Sequence, residues 1–174
     1  MTRGLFIGRF QPLHKGHTWA INRILEQEDE IILCIGSAQE NYTLENPLTA
    51  GERIELIITY LKEANLYNRA IIIPIPDIFE NFIWPRRVLE FVPKFSRVYS
   101  GNELVLALFE LINIRTVRLE HIDREKYQGR VIRQKILNNE EWKDLVPSCI
   151  YKKLKELKFE ERIRRLSKHY VRKI

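Results

Sequence analysis

Gly8-Arg9-Phe10-Gln11-Pro12-Leu13-His14-Lys15-Gly16-His17 follows an unbroken apolar run, Leu5 to Ile7, and leads into Thr18 to Leu25, where Trp19, Ile21, Ile24 and Leu25 keep helical spacing. A short apolar run without polar alternation reads as a strand buried on both faces. Four similar runs follow at Ile31 to Ile35, Ala70 to Ile75, Val98 to Tyr99 and Thr116 to Leu119. Between them, helical spacing recurs at Ala50 to Leu61, Ile83 to Phe91, Glu103 to Leu111 and Val131 to Leu137. Thr49 with Glu52 has the spacing of a capping box at the start of the Ala50 helix. Strands alternating with helices, joined by connections long enough for crossovers, predict an α/β fold: a Rossmann-like parallel five-stranded sheet with helices on both faces. In such sheets ligands bind beyond the carboxyl ends of the strands where strand order reverses, which directs attention to Gly8 to His17 and Ser100 to Asn102.

The first of these loops is rich in groups that meet phosphate. His14 and His17 lie three apart at a helix start, so they share a face with Cβ atoms about 5–6 Å apart. Gly16 between them removes a side chain where a ligand approaches the backbone, and the free amides of a helix start favour an anion. Arg9 and Lys15 add positive charge. Imidazoles, a guanidinium and amides together suit oxygens whose charge grows as a phosphoanhydride breaks. Two other interpretations stay open: a His-x-x-His metal pair, which lacks the further Cys or acid ligands of a zinc site, and a purely structural pair. The P-loop pattern is absent.

Beyond the loop, the chain carries Gly36-Ser37-Ala38-Gln39, Asn46-Pro47-Leu48-Thr49-Ala50-Gly51-Glu52-Arg53, Asp77-Ile78 with Asn81 and Trp84, Tyr99-Ser100-Gly101-Asn102, and Val146-Pro147. With Gly8-Arg9-Phe10-Gln11-Pro12 and His14-x-Gly16-His17, these blocks resemble the archaeal nicotinamide mononucleotide (NMN) adenylyltransferases, a branch of the nucleotidyltransferases. The resemblance spans most of the chain. It implies adenylyl transfer from ATP to NMN, giving NAD and pyrophosphate, with Mg²⁺ carried on the ATP phosphates and no protein side chain as metal ligand. It further implies catalytic roles for His14, His17, Arg133 and Arg9. ATP would be bound by Gly8, Arg9, Phe10, His14, Gly16, His17, Gly101, Asn102, Gly129, Arg130, Ile132 and Arg133. NMN would be bound by Arg9, Phe10, Gln11, Ser37, Asp77, Asn81 and Trp84, with the indole stacked on the cationic nicotinamide ring. A homo-oligomer, commonly a hexamer, belongs to the same implication, whereas a cytoplasmic setting is expected from the two distant cysteines, Cys34 and Cys149.

One block departs from the family pattern. The late phosphate motif usually reads Ser-Gly-Thr or Ser-Ser-Thr, two residues, then Arg, whereas this chain has Gln128-Gly129-Arg130-Val131-Ile132-Arg133. Two hydroxyl donors have been exchanged for an amide and a guanidinium. Weakened catalysis, a related substrate such as a flavin or phosphopantetheine nucleotide, or a nucleotide-binding regulator are the alternatives this keeps open.

Composition bounds the rest. With 174 residues, 45% hydrophobic and 30% charged, the chain is expected to form a single nucleotidyltransferase domain, a core over 1–127 followed by the phosphate motif and C-terminal helices over 128–174. No apolar run approaches the roughly 20 residues of a membrane span, and no signal peptide fits the start. Cys34 and Cys149 suggest neither a disulfide framework nor a zinc ribbon. The net charge of +6 is a tail property: Tyr151 to Ile174 holds ten Lys/Arg against three acids, leaving nineteen bases and twenty acids in the first 150 residues. Apolar residues recur in the tail on two helical registers, Ile150, Leu154 and Leu157, then Phe159, Ile163, Leu166 and Tyr170, with a bend needed near Lys158. Such a helix pair is expected to pack on its own domain or a sister subunit rather than to bind nucleic acid or a membrane surface.

Overall fold

The computed structural model describes residues 1–171 apart from 79, 121, 122 and 124, with 170 and 171 described in backbone only. Five strands, β1 (Arg3–Gly8), β2 (Glu30–Ile35), β3 (Ala70–Pro74), β4 (Arg97–Ser100) and β5 (Thr116–Arg118), form one parallel sheet in the order β3-β2-β1-β4-β5. The helices are α1 (Lys15–Leu25), α2 (Ala50–Glu63), α3 (Trp84–Phe91), α4 (Glu103–Glu110), α5 (Gly129–Leu137), α6 (Ser148–Glu156) and α7 (Phe159–Val171). The strand order reverses between β1 and β4, so the loops that leave these two strands flank the crevice expected of a doubly wound sheet.

Register explains why the strand sequences are apolar throughout. Leu5 pairs with Ile32 and Val98, and this row packs with Val88 of α3 and Phe109 of α4. The next row, Phe6 with Leu33 and Tyr99, faces the other way, toward Ile21 and Ile24 of α1, Leu56 and Ile57 of α2, and Ile132, Ile150 and Ile163 of α5 to α7. Both faces are therefore covered. Cys34 and Cys149 belong to opposite layers and are unpaired. Burial pushes the Cys34 thiol up to about 12, and burial together with the Glu63 carboxylate pushes Cys149 up to about 11, so neither offers a thiolate at neutral pH.

The tail packs on its own chain. Lys158 adopts a left-handed backbone, φ 51°, and makes the bend between α6 and α7 that lets Ile150, Leu154, Phe159 and Ile163 share one core. Arg172 and Lys173 of the basic run lie outside the described residues, as does the side chain of Tyr170. Arg162 of α7 reaches back to the start of α2, donating to both carboxylate oxygens of Glu52 at 2.6 and 2.7 Å and to the Pro47 carbonyl at 3.1 Å. The same carboxylate accepts the Thr49 amide, closing the expected capping box. Burial raises the Glu52 pKa, but the hydrogen bonds from Arg162 and Thr49 outweigh it and hold the carboxyl below its ordinary 4.5. A carboxyl depressed on folding stabilises the fold above its unfolded value and loses that contribution as pH falls through its folded value. Arg162→Met is expected to remove about 2 kcal/mol at neutral pH, a melting shift of about 4–8 °C. Because Glu52 then loses its depression, the variant's stability should fall less steeply than the wild type's below pH 4.5, which thermal melts across an acid series would read.

Candidate active site

A cleft of about 340 Å³ opens at the carboxyl ends of β1 and β4. It is lined mainly by the end of β1 with the loop and helix start that follow it, by Ser100 to Asn102 after β4, and by Tyr127 to Arg130 with Arg133 around the start of α5; Glu45 adds a side chain from the stretch before α2. Of the residues expected at ATP, all line this cleft except Ile132, whose side chain is fully buried in the core behind α5. Arg9, Phe10 and Gln11 of the expected NMN set also line it, while Ser37, Asp77, Asn81 and Trp84 do not. Lys15 is exposed outside it.

The histidine pair is built into the helix start. His14 is the N-cap of α1 and His17 its third residue. The His17 amide donates to Nδ1 of His14 and the His14 amide donates to Nδ1 of His17, both at 3.3 Å, while the rings stack with centroids 3.7 Å apart. This is a capping box made from two imidazoles. Since each Nδ1 accepts, the neutral rings carry their protons on Nε2. Helix α1 begins at Lys15, three residues before the expected Thr18, because this cap satisfies its first amides. Gly16 is tightly packed: a Cβ there would lie 3.1 Å from both the His14 ring and Cβ of Tyr127, so these neighbours would have to shift by a few tenths of an ångström.

The start of α5 meets the loop after β1 at closer range. A Cβ on Gly129 would lie 2.4 Å from the Gln11 carbonyl oxygen, so only glycine allows this approach. The same oxygen accepts Nη1 of Arg133 at 2.7 Å. Burial lowers Arg133 to about 10, with the charges of Arg9 and Arg130 pushing the same way and that of Glu45 opposing. Three guanidiniums thus crowd one end of the cleft, and Glu45 is the one acid among its described lining residues. Gln128 occupies the N-cap of α5 without a side-chain cap bond, and Arg130 is exposed one residue into the helix.

The remaining candidates have local partners. The Gln11 amide makes two 2.9 Å hydrogen bonds with the Leu48 backbone, fixing the loop after β1 against the approach to α2. Asp77 accepts the Ser37 amide at 3.2 Å and the Ser37 hydroxyl, and its own amide donates to Gln39. Asn81 is exposed in the turn before α3, and Trp84, the first residue of α3, stands edge-on to Phe109 with centroids 5.7 Å apart. One residue figures in the sequence only as the end of the Asn46 to Arg53 block, with no role of its own. Arg53 is fully buried and donates to carbonyls of the loops after both β1 and β2. Its signal was available: with Leu56, Ile57 and Tyr60 it occupies the buried stripe of α2, where a charge has no ordinary place.

Among the described residues, no group of three or more His, Cys, Asp and Glu is placed to hold a metal, and no helix is long and apolar enough to cross a membrane.

Comparison with known proteins matches these features. The cytidylyltransferase-like family model matches residues 5–135. A nicotinamide-nucleotide adenylyltransferase of Pyrococcus horikoshii is 44% identical over 167 residues, 96% of this chain and 90% of the relative. One from Saccharolobus solfataricus is 42% identical, covering 95% and 97% respectively. Among solved structures, a bifunctional NMN adenylyltransferase/ADP ribose pyrophosphatase from Francisella tularensis, complexed with AMP and a manganese ion, superposes with a TM-score of 0.78 at 22% identity. The match covers 95% of this chain but about half, 51%, of that bifunctional one, and it speaks to the fold. With a family model spanning most of its length and archaeal relatives above 40% identity from end to end, the chain belongs to the cytidylyltransferase-like family, alongside the nicotinamide-nucleotide adenylyltransferases.

Proposed function

We infer that the protein transfers the adenylyl group of ATP to NMN, forming NAD and releasing pyrophosphate. Relatives of that name along nearly the whole chain support the activity. The observation that carries the site assignment is the meeting of the histidine-capped start of α1 with the guanidinium-bearing start of α5 across one cleft.

A phosphate oxygen of NMN attacks the α-phosphorus of ATP, forming the new phosphoanhydride bond. The bond from that phosphorus to the bridging oxygen breaks, and its electron pair leaves with pyrophosphate. The attacking oxygen is already ionised at neutral pH, so no general base is needed and catalysis is by positioning and charge stabilisation. His14 and His17 donate from Nε2 to ATP phosphate oxygens. Arg9 serves the reacting centre, and Arg133 holds the departing pyrophosphate. Arg130 brings a cation where the family's hydroxyls stand, which favours retained over weakened activity. Gly101 and Asn102 flank the adenosine. Ser37, Asp77, Asn81 and Trp84, outside the lining of this cleft, are assigned to the nicotinamide end of NMN.

The cleft fits a divalent ion that arrives on its substrate. Its lining is cationic and imidazole-rich, with Glu45 as the described carboxylate, so magnesium would be held by ATP phosphate oxygens, the hard oxygen ligands it prefers. Bound there, magnesium neutralises charge on the leaving phosphates. A cytoplasmic homo-oligomer, a hexamer by family resemblance, completes the assignment; the exposure of Phe91, Leu104 and Leu111 on α3, α4 and the end of α4 is consistent with a covered face.

Purified protein with Mg·ATP and NMN, assayed for NAD, tests the activity. Retained ATP binding without turnover would overturn it. Trp84→Ala is expected to raise the KM for NMN about tenfold, the loss of one cation–π contact, with the KM for ATP unchanged. Equal changes in both constants would count against stacking.

A further inference from the structure

We propose that Arg53 is a positioning residue that sets the spacing between the loop after β1, which carries the ATP-facing residues, and the loop after β2, which leads to the proposed nicotinamide residues. This rests on the adenylyl-transfer assignment above and concerns a side chain that no substrate contact would explain, since Arg53 is fully buried.

Its guanidinium binds backbone on both sides. Nη1 donates to the Arg9 carbonyl at 3.1 Å and to the Gly36 carbonyl at 2.8 Å, and Nη2 donates to the Ser37 carbonyl at 3.0 Å. Nε donates to the Thr49 carbonyl at the start of its own helix. The first carbonyl belongs to the loop that carries Arg9, His14 and His17. The other two belong to the loop after β2, whose Ser37 holds Asp77 of the loop after β3 and so leads toward Asn81 and Trp84. One planar fork therefore fixes the distance between the two substrate-carrying loops.

Two further features point the same way. Phe10 and Ser37, each directly after a carbonyl that Arg53 holds, are left-handed, with φ 51° and 49°. Non-glycine residues persist there only where the surroundings over-determine them, and such corners cluster at functional sites. Second, its hydrogen-bond acceptors among the described residues are all main-chain carbonyls. A lysine has a single ammonium at the end of a flexible stem and cannot reproduce a fork that spans two loops.

The test compares Arg53→Lys and Arg53→Met with the wild type, measuring the dissociation constants of ATP and NMN separately, then kcat and melting temperature. Displacement of one reactant by about 1 Å costs on the order of 10²-fold in rate. Folded Arg53→Lys is expected to bind each substrate alone within about threefold of wild type while kcat falls about 10²-fold. Arg53→Met is the harsher case, and if it does not fold the lysine variant still decides. An unchanged kcat in folded Arg53→Lys overturns the proposal. So does a loss that disappears after correction for the folded fraction, which would mark a stability role alone, or a weakening of either substrate's binding that matches the fall in kcat/KM. A wild type that makes no NAD overturns the activity assignment instead, so the two failures are distinguishable.

Discussion

Arg133→Ala should lower kcat about 10³-fold, the lower end of what an arginine contributes when it stabilises a transferring phosphoryl group. The side chain is half-buried at the start of α5, anchored by Nη1 to the Gln11 carbonyl and pressed by the charges of Arg9 and Arg130. Even lowered to about 10, it stays a cation at neutral pH. A cation held in place before substrate arrives gains most when negative charge builds on the leaving pyrophosphate, and that difference between ground and transition states is what raises kcat. Lysine at 133 should recover little, because it cannot hold two phosphate oxygens at once. Single-turnover measurements with saturating substrates read the effect directly. A rate within tenfold of wild type would remove Arg133 from the leaving-group role.

His17→Ala comes next, with an expected loss of about 10²- to 10³-fold in kcat, the usual effect of deleting one preorganised donor. Alanine also removes the Nδ1 that accepts the His14 amide, which should cost about 1 kcal/mol of stability. His17→Asn separates the two jobs: its side-chain oxygen can accept the amide, but it presents no Nε2–H to phosphate. Stability near wild type with turnover still depressed is the expected pattern. Recovery of rate together with stability would show that the pair is a cap and nothing more.

Much of the sheet was legible because strands covered on both faces must be apolar at every position, and Ile31 to Ile35 could satisfy that requirement in no other way. The Thr49 and Glu52 cap was visible as a spacing, and so was the bend at Lys158, since Ile150 and Ile163 cannot share a face of one straight helix. The loop after β1 declared itself through residue type. What stayed hidden were contacts that depend on long-range meetings. The short 3₁₀ turns at Tyr67–Arg69 and Lys143–Leu145 carry no periodicity. Gln11 was expected at the substrate, and its place in the cleft lining fits that, but the hold of its amide on Leu48 had no sequence signal; nor did the burial of the Ile132 side chain in the core behind the phosphate motif. Arg53 was readable only as an anomaly, a charge on a buried stripe, and its acceptors are backbone carbonyls that have no sequence signature at all.

The hydrogen bond from Arg133 to Gln11 joins residues 122 apart, and Arg162 reaches Pro47 across 115. During synthesis the five strands emerge before either arginine does, but a domain generally folds as a unit. Ile132, Ile150, Phe159 and Ile163 of α5 to α7 are buried in one core with Phe6 and Leu33, so that face of the sheet waits for the carboxyl-terminal helices to be covered. Core and cleft are therefore completed by the same late segment, and a chain cut short after β5 would lack one wall of the cleft and leave that face of the sheet partly uncovered.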